Sequence, residues 1–259
     1  MGSAESAVRV AMRLMQKFAP AVTSPPQPQS DWALFLDFDG TLLDIAPRPD
    51  EIEIPKSLPG MLLGASAWLE GALAIVSGRA LSQIDRFLDP LRLPGGGEHG
   101  ATVRLPDGTL ETAGPETIVP IAWRNEILRV TNAWGGVLVE EKPYGITVHY
   151  REAPYRADDI LALLVDIAGG DPRFEILASR MAYEVRSRAI TKARVVNELM
   201  GYAPFSGRVP VFVGDDVTDH DGFRAVVARG GLALDVGEIF GGEPAAVREW
   251  LRSFAANQD

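Results

Sequence analysis

The chain has 259 residues, 46% of them hydrophobic and none of them cysteine, and its 25 basic and 35 acidic residues give a formal net charge of −10. The absence of cysteine excludes disulfides, thiolate-bound metal sites and cysteine nucleophiles, and the acidic balance argues against a nucleic-acid-binding surface. No apolar run approaches the roughly 18 residues that span a bilayer, and the length allows one average domain with an insertion.

The N-terminal stretch predicts a short helix followed by a linker. Residues 5–19 carry apolar side chains at near-helical spacing (Val8, Met12, Met15 and Phe18). Residues 24–30 are rich in proline, which indicates an extended segment without a core. Charged residues interrupt this region, so we expect no signal peptide. We treat residues 1–30 as an extension, for which a docking element and a disordered leader both stay open.

The apolar run that begins at Trp32 predicts a buried parallel strand. It ends in Asp37 and Asp39, followed by Gly40 and Thr41. Ligands of open α/β sheets bind beyond the carboxyl ends of the strands. Strand alternation points both aspartates to the same side, which is costly for two like charges unless a cation lies between them. The segment is therefore a candidate for chemistry.

Further core elements follow up to residue 100. Residues 55–70 and 80–88 read as helices, and 72–76 as a second buried strand that ends in Ser77-Gly78-Arg79. Residues 94–100 contain four glycines in seven positions and predict a loop. The loop lacks the G-x-x-x-x-G-K-[ST] spacing of a nucleotide-binding phosphate loop.

The pattern changes near residue 115. Predicted elements then occur in the order α-β-β-α-β-β, which differs from the βαβ pattern on either side. Their bounds are 116–133, 136–142, 145–151, 155–168, 174–179 and 181–186. We therefore predict an inserted α+β cap domain over 113–187.

The core pattern resumes with a helix over 190–200 that begins near Lys192. An apolar strand over 209–213 is closed by the acidic residues of 214–219, and a short strand over 231–236 precedes a helix over 244–254. The prediction is an α/β protein whose Rossmann-like parallel-sheet core comprises 31–112 and 188–259.

The polar residues at the ends of these core elements suit phosphoryl transfer, which needs an in-line nucleophile and neutralisation of oxygen charge. Carboxylate and carbonyl oxygens suit Mg²⁺, so Asp37, the Asp39 main-chain carbonyl and Asp215 form a candidate metal site. Ser77 can donate to a phosphate oxygen where Gly78 leaves room, and Lys192 supplies a compact positive charge.

Two other interpretations compete with this one. A calcium loop over 219–222 fails, because aligning Gly222 to the required glycine puts Val217 and Ala228 at positions that need Asp and Glu. A binding module without catalytic activity stays possible in principle, because fold does not imply function. The complete set of polar residues, with both aspartates present, favours an enzyme.

The D-x-D-G-T-L segment, the S-G-R segment, Lys192 and the G-D-D segment resemble the four motifs of the haloacid-dehalogenase-like phosphatases, in the same order. The resemblance covers nearly the whole chain from residue 31. It implies that Asp37 is the nucleophile that forms an aspartyl-phosphate, that Asp39 is the general acid/base and that Mg²⁺ is the cofactor.

Within the predicted insertion, the E-x-K and H-Y-R segments resemble those of trehalose-6-phosphate phosphatases. This resemblance implies substrate-binding roles for seven residues, namely Arg79, His99, Glu140, Lys142, His149, Arg151 and Glu184. It also implies that Asp216 and Asp219 support the metal ligands. The chain departs from the family pattern at Ser187, Ala193 and His220, so a phosphatase of another sugar phosphate is an alternative, and a phosphomutase is a third.

These observations together predict a Mg²⁺-dependent phosphatase acting on a small-molecule sugar phosphate. We expect the cap to close over the substrate and exclude water. We also expect a cytoplasmic monomer or small homo-oligomer that binds neither nucleic acid nor membrane.

Overall fold

A computed structural model of the chain describes residues 23–45, 52–142, 144–179 and 181–256. The helix predicted over 5–19 lies outside the described residues. In the proline-rich stretch, Pro28 is buried, and the Trp250 indole N–H donates to the Pro26 carbonyl at 2.7 Å. This part of the predicted linker therefore packs on the folded chain. Burying proline there leaves no main-chain N–H unsatisfied, because proline has none.

The chain divides into two compact units. We call residues 1–111 with 191–259 the core unit and residues 112–190 the inserted unit. The sequence analysis placed the borders of the insertion at 113 and 187.

The core unit contains a mixed sheet and the helices that cover it. Its strands are β1 (Trp32–Leu36), β2 (Leu73–Val76), β3 (Gly95–Gly97), β4 (Thr102–Arg104), β10 (Val209–Gly214) and β11 (Leu232–Asp235), with β5 (Leu110–Thr112) at the border of the inserted unit. Its helices are α1 (Leu58–Trp68), α2 (Leu81–Phe87), α5 (Lys192–Leu199), α6 (His220–Val227), α7 (Val236–Ile239) and α8 (Pro244–Ala256). The strand order is β11-β10-β1-β2-β3-β4-β5, and the strands from β11 to β3 run parallel. The predicted α/β fold class is confirmed.

This strand order places a topological switch point at β1. The chain moves from β1 to β2 on one side and later returns to β10 on the other. Leu36 pairs with Val213, so β1 and β10 end side by side. Ligands of open α/β sheets bind at such a point. The strands hold their positions because β1 and β2 are buried throughout, and Phe35 stacks on Phe212 with ring centroids 6.5 Å apart.

The prediction of a loop over 94–100 is wrong in part, because Gly95–Gly97 form β3. A β-carbon on Gly96 would lie 2.3 Å from Val195 Cγ2 on helix α5. Glycine is therefore required by the close approach of this helix to the strand, and its usual association with loops misled the prediction. Helices α6 and α7 and strands β4 and β5 were not predicted.

The inserted unit has its own sheet and its own hydrophobic core. Its helices are α3 (Ile121–Thr131) and α4 (Ala157–Ala168), and its strands are β6 (Leu138–Lys142), β7 (Gly145–His149), β8 (Phe174–Ser179) and β9 (Ala182–Ser187). The antiparallel sheet has the order β6-β7-β9-β8. Residues of both helices and the sheet form one buried cluster that includes Ile127, Ile146, Ile160 and Val185. The predicted order of elements is therefore observed.

Helix α3 is shorter than the predicted span of 116–133. A 3-10 turn occupies Pro115–Thr117, and the α-helix begins only after Pro120. The residue before a proline is disfavoured in the helical region, so Val119 breaks the run. No helix within the described residues is both long and apolar enough to cross a bilayer.

Candidate active site

The two aspartates that follow β1 and β10 are held together by the segment after β1. The Asp37 N–H donates to the Val213 carbonyl at 2.9 Å. Gly40 has a φ of +82°, and a β-carbon there would lie 2.1 Å from Asp215 Oδ2. The Thr41 hydroxyl donates to Asp215 Oδ1 at 3.1 Å. Gly40 thus leaves the space that the Asp215 carboxylate occupies, and Thr41 provides a hydrogen bond to that carboxylate.

Lys192 lies in the first turn of α5 and is buried, with only 3% of its surface exposed. Its ammonium donates to Asp37 Oδ1 at 2.6 Å and to Asp219 Oδ1 at 2.5 Å. The other oxygen of Asp219 accepts the main-chain N–H groups of Asp215 and Asp216 at 3.1 and 3.0 Å. Asp219 is fully buried, so it fixes both the lysine and the loop that carries Asp215.

The cluster carries more negative than positive charge. Carboxylate oxygens of Asp37, Asp215 and Asp219 lie within 4.8 Å of one another, and when all three groups are ionised they exceed the single ammonium by two negative charges. Burial raises the pKa of Asp37 to about 8, since the attraction of Lys192 does not outweigh burial and the repulsion of Asp219. Burial likewise raises the pKa of Asp215. Burial alone would lower the pKa of Lys192, but Asp37 and Asp219 raise it above its ordinary value.

This donor set fits a magnesium ion. The oxygens are hard ligands of the kind that Mg²⁺ prefers, and a divalent cation would neutralise the excess charge. Asp37 and Asp215 are the carboxylates best placed to bind it. Asp219 already accepts hydrogen bonds on both oxygens, so it suits a supporting role. Asp216 is a surface residue of the same loop whose carboxylate accepts the Val217 N–H at 2.7 Å.

Ser77 follows β2, which pairs with β1, so it lies on the same edge of the sheet as Asp37. Its main-chain carbonyl accepts the His99 N–H at 2.9 Å. The His99 ring covers Gly78 so closely that a β-carbon there would lie 2.7 Å from it. His99 was predicted to contact the substrate. Its observed position is against the segment that presents the Ser77 hydroxyl.

Glu98 and His99 have φ values of +51° and +58°. Two consecutive non-glycine residues in this conformation are strained, and such strain clusters at functional sites. The turn brings the Glu98 N–H to the Arg79 carbonyl at 2.9 Å. The Glu98–His99 turn therefore holds the Ser77–Arg79 segment through main-chain hydrogen bonds.

Arg79 and Asp39 form an ion pair that the sequence analysis did not foresee. Arg79 Nε donates to Asp39 Oδ2 at 2.6 Å, and Nη2 donates to Oδ1 at 2.7 Å. Arg79 was predicted to bind substrate and Asp39 to act as general acid/base. Their pairing joins residues 40 positions apart, and no spacing rule of a strand or helix connects them.

The remaining predicted binding residues lie in the inserted unit. Glu140, Thr147 and Glu184 stand opposite one another across β6, β7 and β9. The Glu140 carboxylate lies 3.3 Å from Lys142 Nζ and 3.2 Å from His149 Nε2. Partial burial by itself would raise the pKa of Glu140, but Lys142 and His149 together lower it below its ordinary value.

The sheet face with Glu140 is opposite the apolar face that packs on α3 and α4, since alternate residues of a strand point to opposite sides. Arg151 lies in the exposed turn after β7. The face therefore offers both donors and acceptors for hydroxyl groups.

The three residues that depart from the family pattern are His220, Ser187 and Ala193. His220 packs on Phe223 with ring centroids 6.0 Å apart. Ser187 is buried at the end of β9, where its hydroxyl accepts the Ala189 N–H at 3.3 Å. Ala193 packs against the hydrophobic core of the core unit.

Comparison with known proteins gives consistent matches. The family model described as trehalose-phosphatase matches residues 35–243. A probable trehalose-phosphate phosphatase of Sinorhizobium fredii is 40% identical over 233 residues, which cover 87% of each chain. The trehalose-6-phosphate phosphatase of Escherichia coli is 33% identical over 217 residues, covering 83% of this chain and 81% of that protein.

Solved structures share the fold. A trehalose-6-phosphate phosphatase of Aspergillus fumigatus superposes with a TM-score of 0.61 at 24% identity, over 87% of this chain and 93% of that one. A haloacid dehalogenase-like hydrolase from B. subtilis gives 0.55 at 14% identity, over 84% and 92% of the two chains.

Proposed function

The chain belongs to the trehalose-phosphatase family and is a phosphoric monoester hydrolase, and we propose that it hydrolyses trehalose 6-phosphate with Mg²⁺ through an aspartyl-phosphate on Asp37. The observation that carries this proposal is the buried cluster in which Lys192 bonds Asp37 and Asp219 while Asp215 lies beside them. The proposed nucleophile Asp37, the ammonium of Lys192 and the candidate metal ligand Asp215 therefore lie together at the switch point of the sheet.

In the first step, an oxygen of Asp37 bonds to phosphorus while the bond from phosphorus to the sugar oxygen breaks. Asp39 gives its proton to that departing oxygen. In the second step, water bonds to phosphorus, Asp39 takes a proton from it, and the bond to Asp37 breaks. Phosphate leaves and the carboxylate of Asp37 is regenerated.

The charge that develops on the phosphoryl oxygens has to be neutralised. Lys192 provides one positive charge, and the Ser77 hydroxyl provides a hydrogen bond. Asp37, the Asp39 main-chain carbonyl and Asp215 would hold Mg²⁺, which would supply further positive charge.

For the sugar, the polar face with Glu140, Lys142 and Glu184 offers hydrogen-bonding groups that suit hydroxyls. The alternative is a different sugar phosphate, because Ser187, Ala193 and His220 depart from the family pattern. Of the three, Ser187 alone lies in the inserted unit.

The test is a phosphate-release screen over sugar phosphates with and without Mg²⁺. Trehalose 6-phosphate should be the preferred substrate, and chelation should abolish turnover. Asp37→Asn keeps the shape of the side chain and removes the attacking charge, so it should fold and be inactive. Appreciable Mg²⁺-dependent activity in that variant would contradict the aspartyl-phosphate mechanism, and preference for another sugar phosphate would contradict the substrate assignment.

A further inference from the structure

Both carboxylate oxygens of Asp39 accept a hydrogen bond from the Arg79 guanidinium, at 2.6 and 2.7 Å. Two parallel bonds fix the plane of a carboxylate as well as its position. We infer that Arg79 is a positioning residue that orients Asp39 for its proton transfers, and that this is its main role rather than contact with the substrate. The inference rests on the proposed function, in which Asp39 is the general acid/base.

Arg79 is itself held at several points. The main-chain N–H of Arg79 donates to Ser77 Oγ at 3.1 Å, and its main-chain carbonyl accepts the Glu98 N–H at 2.9 Å. Its guanidinium lies 5.5 Å from the centre of the Phe87 ring. The guanidinium is therefore pre-organised before it meets the carboxylate.

The aromatic contact also links Arg79 to the segment that carries both aspartates. Phe87 stacks on Phe38 with centroids 6.3 Å apart and planes 10° from parallel, and Phe38 is the residue between Asp37 and Asp39. Arg79 thus reaches this segment both through the ring stack and through the carboxylate.

The ion pair leaves Asp39 able to react. Each carboxylate oxygen has a second lone pair beyond the one that faces Arg79, and the Asp39 side chain is 34% exposed. An oriented oxygen can therefore meet a leaving-group oxygen or a water. Without the two bonds the carboxylate would rotate freely, and a displacement of about 1 Å can cost on the order of 10²-fold in rate.

The two chemical steps respond differently to such a loss. A sugar oxygen needs a proton to leave, whereas an aryl oxide of low basicity leaves without one. Activation of water in the second step is required for both substrates. Poor orientation of Asp39 should therefore slow both steps for a sugar phosphate and only the second step for an aryl phosphate.

The experiment compares wild type with Arg79→Gln and Arg79→Lys by rapid mixing with para-nitrophenyl phosphate and Mg²⁺. For Arg79→Gln we expect a burst of about one nitrophenolate per site at nearly the wild-type rate, followed by turnover roughly 10²-fold slower than wild type. KM for para-nitrophenyl phosphate should fall together with kcat, and kcat/KM should stay within about threefold of wild type, because only the hydrolysis of the aspartyl-phosphate is slowed. The kcat for trehalose 6-phosphate should fall at least as far, without a burst of trehalose. Arg79→Lys keeps the charge without the planar fork and should fall in between.

Arg104→Gln is the matched control. Arg104 Nη1 and Nη2 donate to the two carboxylate oxygens of Asp85 at 2.8 and 2.6 Å. The side chain of Arg104 is 13% exposed, the same as that of Arg79. This variant should lose a similar amount of thermal stability and keep wild-type burst and turnover. If Arg79→Gln does not fold, the same readouts on Arg79→Lys decide.

Several results would overturn the inference. A raised KM with unchanged kcat for both substrates would make Arg79 a substrate contact. A burst slowed as much as turnover, or behaviour equal to that of Arg104→Gln, would remove the positioning role. These outcomes presuppose an active wild type, whereas a wild type that releases no phosphate, or an active Asp37→Asn variant, would defeat the proposed function itself.

Discussion

Replacing Lys192 with methionine keeps the approximate length of a buried side chain and removes its charge. In the folded protein this charge compensates Asp37 and Asp219, which lie 2.6 and 2.5 Å away. Removing one partner of a buried ion pair leaves an uncompensated charge and costs about 3–5 kcal/mol. At about 2–4 °C per kcal/mol for a chain of this size, the melting temperature without metal should fall by roughly 6–20 °C.

Magnesium should then stabilise the Lys192→Met variant more than it stabilises wild type, because the cation meets three carboxylates and no ammonium. At saturating Mg²⁺, each tenfold gain in Mg²⁺ affinity adds about 1.4 kcal/mol to the stabilisation of the variant over that of wild type, which calorimetry can measure. The assay is thermal unfolding of both proteins in chelator and in Mg²⁺. The variant should also be inactive.

Lys56→Met is the control, since Lys56 is exposed and the same chemical change there should move the melting temperature little. If Lys192→Met costs less than about 1 kcal/mol and responds to Mg²⁺ as wild type does, the electrostatic account of the cluster is refuted.

Two further substitutions test the rest of the site. Gly40→Ala forces a β-carbon to 2.1 Å from Asp215 Oδ2 at a φ of +82°; it should cost about 1–3 kcal/mol and weaken Mg²⁺ binding measured by titration calorimetry, and unchanged Mg²⁺ affinity would contradict this. Glu140→Ala or Lys142→Ala should lower kcat/KM for trehalose 6-phosphate roughly tenfold to hundredfold, as one charged hydrogen bond is lost, and leave para-nitrophenyl phosphate turnover nearly unchanged. Equal losses on both substrates would mean that this face does not recognise the sugar.

Much of the core could be predicted because its strands are buried on both faces. A strand such as β1, with every residue buried, appears in the sequence as an uninterrupted apolar run. Parallel strands also end at one edge, so polar residues that follow them are brought together by topology alone. This is why the placing of Asp37, Ser77 and Asp215 on one edge could be anticipated from the chain order.

Other features depend on partners that are distant in sequence. The pairing of Arg79 with Asp39 arises from the packing of α2 against the segment after β1, as the Phe87–Phe38 stack shows. Position 96 needs glycine because Val195 of α5 lies too close to leave room for a side chain. Local periodicity contains no information about such contacts, so they become visible only in three dimensions.

Asp219 is a residue that the sequence motif identified but whose structural role the motif did not fully indicate. Its sequence context suggested a residue that supports the metal ligands, yet it is fully buried and bonds Lys192 at 2.5 Å. A buried carboxylate is tolerated only when its hydrogen bonds are satisfied, and Asp219 meets this condition with one ammonium and two main-chain N–H groups. The position of the lysine is therefore set by Asp219 as much as by Asp37. An amide at this position would keep the size of the side chain and lose half of what holds the ammonium beside the nucleophile.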